Sequence, residues 1–348
     1  MRGTPGSQQM VKWQNTAKRW FFATVFGLLS AGLLTPLAAQ QQAVDIESKR
    51  YTFTGAHLGT VVRLVFYSAD RAHAKALAKR CFDRVRHLDG VFSDYRDDSE
   101  LMKLCSVAHK QATPVSDELF TVLACAQQIS QQSGGAFDVT LGASTKAWRA
   151  RKQDKDHRAA SRLDGASYRD LVLDETGKTV RFTKPLSLDL GGIAKGYIAD
   201  ELARMLREGG VTQHAVAVGG EMVVGDPPSG RKGWGIDLES PEQKVIATVE
   251  LSHTALSTSG DSYQFAEVDG KRSAHVLDPD TGEGKEDRLN VTVIAPTAML
   301  ADAWSTAFRV MGFERGCELA AKTEQIEAFF TFAGGVAEKT PGFPEPKR

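Results

Sequence analysis

The amino-acid sequence predicts an α+β fold of mixed, largely antiparallel sheets with packed helices. Three observations carry that expectation. Short β-rich segments follow one another across tight turns, as at 171–182 and 234–251. Stretches with helical periodicity lie between them rather than alternating regularly with single strands. No internal repeat of fixed period is present.

The elements follow in chain order. Trp20 to Leu34 is an apolar run preceded by Lys12, Lys18 and Arg19 and followed by T-P-L-A-A-Q. This is the tripartite form of a secretory signal, with cleavage expected after Ala39; an uncleaved anchor is the alternative. No Cys directly follows the run, where a lipoprotein anchor would need one, and no Arg-Arg pair precedes it. Residues 40–49 read as a linker, 50–335 as the folded domain, and 336–348 as a polar tail. Arg50 to Phe66 reads as a hairpin punctuated by Gly55 and Gly59. Ala69 to Asp89 places Ala74, Leu77, Ala78, Cys81, Phe82, Val85 and Leu88 on one helical face. Ser99 is the expected cap of a short helix from Glu100, and Pro114 to Ser133 a second helix closed by Gly134-Gly135. G-A-F-D-V-T (135–140) reads either as a ligand-facing loop or as a cap and strand start. Trp148 to Arg162 is so charged that a solvated loop or exposed helix is expected, a candidate insertion over about 148–165. Leu171–Leu173 and Thr179–Phe182 form a hairpin.

Ser187 to Asp200 (S-L-D-L-G-G-I-A-K-G-Y-I-A-D) reads as a short strand that breaks on Gly191-Gly192 and feeds a helix through Arg207. Such a turn lets backbone N–H groups approach a phosphate, with Lys195 as an added mobile cation. It equally serves simple strand-to-helix packing. Beyond it, strands are expected at 214–218, 222–225, 234–238, 245–251, 255–259, 275–277, 291–295 and 329–332, with a helix over 298–312. Asp302 and Thr306 lie four apart on that helix and so share a face. They could ligate a hard cation such as Mg²⁺. On the residues alone, a helix-capping Asp302 and a packing Thr306 is the simpler reading.

Composition narrows the function. The chain has 348 residues, is 42% hydrophobic and 25% charged, and has no formal net charge. The four basic residues before position 41 face no acid there, which leaves a small acidic excess of about four over the rest. No basic face points to nucleic acid. Cys81, Cys105, Cys125 and Cys317 show neither C-x-x-C nor metal-site spacing. An exported chain could pair them, but several fall in helical segments, where buried free thiols are equally admissible. There is no G-x-S-x-G elbow and no P-loop.

Taken together, F-S-D-Y-R-D-D-S-E-L (92–101), G-G-A-F-D-V-T (134–140), D-L-G-G-I-A-K-G-Y (189–197), V-G-G-E (218–221), T-S-G-D (258–261), H-V-L-D-P-D-T-G (275–282) and A-D-A-W-S-T-A (301–307) resemble the ApbE family. These are the FAD:protein FMN transferases of the bacterial envelope, and the likeness runs from about Tyr51 to Phe332. The resemblance implies a nucleotide site in a cleft between two subregions. It implies binding of FAD and Mg²⁺, and transfer of the FMN half to a Thr hydroxyl of a target protein through a phosphoester, with release of AMP. Some members mainly hydrolyse FAD to FMN and AMP; a non-catalytic flavin-binding protein of the periplasm is the competing class. Leu58, Tyr95, Ala136, Phe137, Asp138, Asp189, Lys195, His275 and Val276 would lie around the flavin nucleotide. Gly192, through its carbonyl, Asp302 and Thr306 would hold the metal, and His275 would be the base; Asp302 and His275 are the implied catalytic pair. Ser305 stands where some members carry a further acid. The implied partner is a subunit of an envelope electron-transport complex, and the implied location is the periplasm or cell envelope.

Overall fold

The computed structural model describes residues 48–154, 165–260, 265–268 and 271–347. The signal-like segment therefore lies outside the described residues, as do most of the 40–49 linker, residues 155–164 and Asp261. Among the described residues no helix is long and apolar enough to cross a membrane.

The chain opens with a hairpin, β1 (Lys49–His57) and β2 (Thr60–Ser68), closed by Leu58 and Gly59. Both turn residues have positive φ, 55° and 67°, as a two-residue hairpin turn compatible with strand twist requires. Then come α1 (Arg71–Phe92), α2 (Glu100–Val107), β3 (Thr113–Pro114), α3 (Asp117–Gln132), α4 (Gly142–Asp154), β4 (Leu171–Asp174), β5 (Thr179–Phe182) and α5 (Ala194–Glu208). The second half contains β6 (His214–Val218), β7 (Glu221–Val224), β8 (Trp234–Glu239), β9 (Val245–Leu251), β10 (Thr254–Ser259), β11 (Phe265–Val268), β12 (Lys271–Ala274) and β13 (Leu289–Ala295). It ends with α6 (Ala298–Met311), α7 (Phe313–Ala320), β14 (Glu327–Phe332) and β15 (Ala337–Lys339). The expected cap is in place, Ser99 accepting from the Met102 amide, and Ser116 caps α3 in the same way by accepting from the Leu119 amide.

Eight strands form one sheet in the order β1-β2-β6-β7-β10-β13-β14-β15, with every neighbour antiparallel. Strand alternation divides its side chains between two layers. Val62, Leu64 and Phe66 of β2, Val216 and Val218 of β6, and Val291 and Val293 of β13 face the helices. Val65, Ala215 and Leu256 face the opposite way, onto the β8–β9 hairpin and Phe343. The predicted α+β class with largely antiparallel sheets is the fold observed.

Several local expectations are corrected. Ser187 to Leu190 is not a strand. It is an extended segment tied to the turn before α4, the Gly142 amide donating to the Ser187 carbonyl (3.0 Å) and the Asp189 amide to that of Val139 (2.8 Å). Its buried Leu186, Leu188 and Leu190 give it a strand-like composition without a strand partner. After Asp138 the chain forms a 3₁₀ turn rather than a strand. The charged stretch from Trp148 begins inside α4, and Trp148 is buried against Leu277 and Leu141. The expected strand at 275–277 stops earlier: β12 ends at Ala274, and only Leu277 makes an isolated bridge, to Gly284. The residues after 335 are not a free tail, because β15 joins the large sheet and Phe343 is 2% exposed. All four cysteines are free thiols, and burial raises the pKa of each.

One buried group makes stability pH-dependent. His214 on β6 is fully buried, which pushes its pKa from 6.5 down to about 4, with Arg207 adding to the effect. Well above pH 6.5 the imidazole is neutral in both states and adds no pH dependence. Between pH 6.5 and 4 the unfolded chain takes up a proton that the fold refuses, so stability falls, by about 3 kcal/mol at pH 4. Asp200, raised by burial to about 6, acts in the opposite sense. We therefore expect denaturant midpoints of the wild type and His214→Gln to converge as pH falls from 7 to 4; parallel profiles would refute the His214 contribution.

Candidate active site

The site forms where α5 crosses α6. Gly196 makes the crossing possible: a Cβ there would lie 2.2 Å from the Ala298 carbonyl oxygen, so only hydrogen fits. The two helices cap each other. Asp200 of α5 accepts from the Ala298 and Met299 amides at the start of α6 (2.8 and 2.9 Å). Asp302 of α6 accepts from the Gly196 amide in the first turn of α5 (3.1 Å). Each carboxylate thus sits at a helix N-terminus, where the amides and the dipole favour negative charge. Asp302 does cap a helix, but α5 rather than its own; α6 is also capped by Thr297.

Lys195 is not a mobile cation. Its ammonium donates to the Gly191 carbonyl (2.7 Å) and meets Glu221 Oε1 (3.0 Å) and Asp302 Oδ2 (3.4 Å). Three acceptors match its three protons. Burial works against its charge, but Asp302 and Glu221 outweigh that and hold the pKa above its ordinary value. The same burial raises the carboxyl groups of Glu221 and Asp302, each partly restored by Lys195. Glu221 stands at the head of β7, and its Oε2 is buried without a hydrogen-bond partner among the described residues. Gly192 approaches Thr306 closely enough that a Cβ there would lie 3.1 Å from the hydroxyl Oγ1 and 3.3 Å from the Phe137 ring. The implied metal residues Gly192, Asp302 and Thr306 are therefore gathered at one crossing, with Lys195 among them.

The other implied residues divide. Asp189 turns one oxygen to the Gly191 amide (2.8 Å) and the other toward Arg149 (3.4 Å). Tyr95 is 75% exposed and lies beside the same arginine. Phe137 is buried and Ala136 half-buried. Asp138 points inward: its carboxylate accepts from the Thr140 amide and hydroxyl (2.9 and 2.7 Å) and from the Tyr168 amide (3.1 Å), so its observed work is to fix this loop. Leu58 packs against the main core at the β1–β2 turn, whose Thr60 lies beside Gly219 in the β6–β7 turn leading to Glu221. His275 and Val276 follow β12; the Lys285 amide donates to the Val276 carbonyl (3.3 Å), and Trp148 donates to Ser273 (3.3 Å), docking α4 on this segment. Ser305 is buried, donates to the Asp302 carbonyl and meets Ser257 (3.2 Å), so its hydroxyl is engaged within the helix and β10. A separate cavity of about 350 Å³, lined by Arg50, Tyr67, Arg231 and Trp234, contains none of these residues.

Sequence reasoning missed four participants. Glu221 had a visible signal, an acid heading an apolar strand after two glycines. Asp200, Gly196 and Arg149 had none, since their partners are distant in the chain.

The donor set suits a hard divalent cation. A carbonyl, a carboxylate and a hydroxyl all present oxygen, and the second Glu221 oxygen is a buried polar atom left over beside them. The class that fold and site define is an α+β protein with an oxygen-lined, lysine-bearing centre fit for an anionic ligand and a cation. The chain belongs to the ApbE family, whose model matches residues 58–330. It is 30% identical over 332 residues to the FAD:protein FMN transferase of Salmonella typhimurium, covering 92% of this chain and 95% of that one. It is 31% identical over 274 residues to a FAD:protein FMN transferase of Klebsiella pneumoniae, covering 75% and 78%. The apo flavinyl transferase ApbE of Pseudomonas stutzeri superposes with a TM-score of 0.76 at 31% identity, over 85% of this chain and 96% of that one. The ApbE protein of Thermotoga maritima gives 0.77 at 27% identity, over 85% and 98%.

Proposed function

We propose that this chain is an FAD:protein FMN transferase. It moves the FMN moiety of FAD to a threonine hydroxyl of a target protein and releases AMP. The observation that carries the reading is the convergence of Gly192, Lys195, Asp302 and Thr306 at the α5–α6 crossing, in a chain of the ApbE family.

The Thr oxygen attacks the FMN-side phosphorus of the pyrophosphate, the bond to the bridging oxygen breaks, and AMP leaves carrying that oxygen. Phosphoryl transfer of this kind depends mainly on positioning and electrostatic stabilisation. Gly192, Asp302 and Thr306 would hold Mg²⁺, which when bound neutralises charge on the pyrophosphate oxygens. Lys195, held above its ordinary pKa, stays cationic throughout and supplies a fixed positive charge at the same place. His275 takes the Thr proton, which a neutral imidazole can do near pH 7. Asp189 and Tyr95 face the nucleotide. The chain acts after export to the periplasm or envelope, on a subunit of an electron-transport complex.

The test incubates the full chain with FAD, Mg²⁺ and a protein bearing an S-G-A-T-like or D-G-A-T-like motif. Mass spectrometry is expected to find FMN on the motif threonine, with one AMP released per adduct. AMP release without any protein-bound flavin would leave only hydrolysis of FAD, and FAD binding without turnover would remove the enzyme reading altogether.

A further inference from the structure

Arg149 lies outside the residues that the family resemblance implies, yet it joins two of them. It is on α4, whose neighbouring Trp148 is buried against Leu141 and Leu277 and so anchors the helix at this point. Its guanidinium carbon lies 4.1 Å from the centroid of the Tyr95 ring. Its Nη1 pairs with Asp94 and its Nη2 approaches Asp189 Oδ2 at 3.4 Å. The two carboxylates are themselves only 8% and 15% exposed, and the Arg149 side chain 23%. A guanidinium held from both ends by buried carboxylates cannot swing freely, and its plane is a natural partner for an aromatic face. Tyr95 is nevertheless 75% exposed, so much of the ring stays open to an incoming group.

We propose that Arg149 is a positioning residue for the flavin: it backs the Tyr95 ring on one face and so presents the other as a fixed stacking platform for the isoalloxazine. The proposal rests on Tyr95 being the flavin-facing ring. An exposed tyrosine in a loop samples several orientations, and stacking on it costs the freedom that binding removes. With one face already occupied by a guanidinium clamped between Asp94 and Asp189, that ordering is in place before the flavin arrives. The contact with Asp189, whose other oxygen accepts from the Gly191 amide, links the platform to the turn that leads into α5. The identity of the residue matters as well as its charge. A lysine could keep the ion pairs but would lose the planar face and the two-ended grip.

The experiment titrates the full chain, in Mg²⁺, with FMN and separately with ADP, which carries no isoalloxazine. The variants are Arg149→Met, Arg149→Lys, Tyr95→Ala and the Tyr95→Ala/Arg149→Met pair. Binding is read by flavin fluorescence for FMN and by thermal shift for ADP, and the unliganded melting temperature monitors the fold. Arg149→Met is expected to weaken FMN about tenfold while ADP affinity changes less than about twofold. Arg149→Lys should fall between, and Arg149→Met should add nothing once Tyr95 is alanine. Equal losses for FMN and ADP would make Arg149 merely structural and overturn the proposal. Unchanged FMN affinity in Arg149→Met and Arg149→Lys would do so too, as would tighter FMN binding, which would mean that Arg149 occupies the flavin's own place. If Tyr95→Ala leaves FMN affinity unchanged, the flavin-facing reading of Tyr95 fails and takes this proposal with it. Weakened binding in Tyr95→Ala alone sinks only the role of Arg149.

Discussion

Replacing Asp302 by Asn or Ala is expected to reduce Mg²⁺-dependent AMP release from FAD by about a thousandfold or more. Asp302 is the carboxylate of the oxygen set at the α5–α6 crossing, 3% exposed and within reach of both Lys195 and the Gly196 amide. Its loss removes the negative charge that would hold a divalent cation there. The fold should survive the Asn change. Lys195 keeps Glu221 and the Gly191 carbonyl as partners, and the repulsion between Asp302 and Glu221 that helps raise the pKa of Glu221 disappears. A variant that melts near the wild-type temperature but releases no AMP separates chemistry from folding. Undiminished AMP release in both variants would remove Asp302 from the site.

Gly196→Ala is the largest expected change in stability. Alanine is the better helix former by about 1 kcal/mol, which taken alone would favour α5. That gain is overwhelmed, because the new methyl would lie 2.2 Å from the Ala298 carbonyl oxygen and 2.7 Å from the Met299 Cα, both backbone atoms of the facing helix. The helices must separate, and the Asp200 caps on Ala298 and Met299 and the Asp302 cap on Gly196 open with them. A net loss of about 3 kcal/mol follows, readable as a lower denaturant midpoint. Activity should fall as well, since the same crossing sets Lys195 against Asp302. An alanine variant as stable as the wild type would show that the crossing is less tight than its geometry.

Much of this arrangement was legible in the sequence, for local reasons. Ser99 and Ser116 sit just ahead of helical periodicity, and caps are short-range devices. The hairpins closed where glycine and polar residues interrupt β-rich runs, and Asp302 and Thr306 shared a face because a helix repeats every 3.6 residues. What failed was non-local. Ser187–Leu190 has the composition of a strand, but its neighbours are a turn and the start of α4, so no ladder forms. Trp148 and Arg149 sit in a charged stretch that reads as solvated, yet Arg149 finds Asp94 and Asp189 across 55 and 40 residues. The reciprocal capping of α5 and α6 needs the crossing itself, which no spacing within either helix encodes. The residues around the nucleotide entered through likeness to a family; Asp138 among them also accepts from the Thr140 and Tyr168 amides, the second a contact across 30 residues that no local spacing encodes.

The position of the cation is the decisive observation. Crystals of the full chain grown with FAD and Mn²⁺ in place of Mg²⁺ carry an anomalous signal that locates the ion without reference to activity. One strong peak is expected, bounded by the Gly192 carbonyl, the Asp302 carboxylate and the Thr306 hydroxyl, with the FAD pyrophosphate beside it. A peak elsewhere, or a bound FAD with Lys195 and Asp302 still paired and no ion between the helices, would rule out a cation site at the crossing.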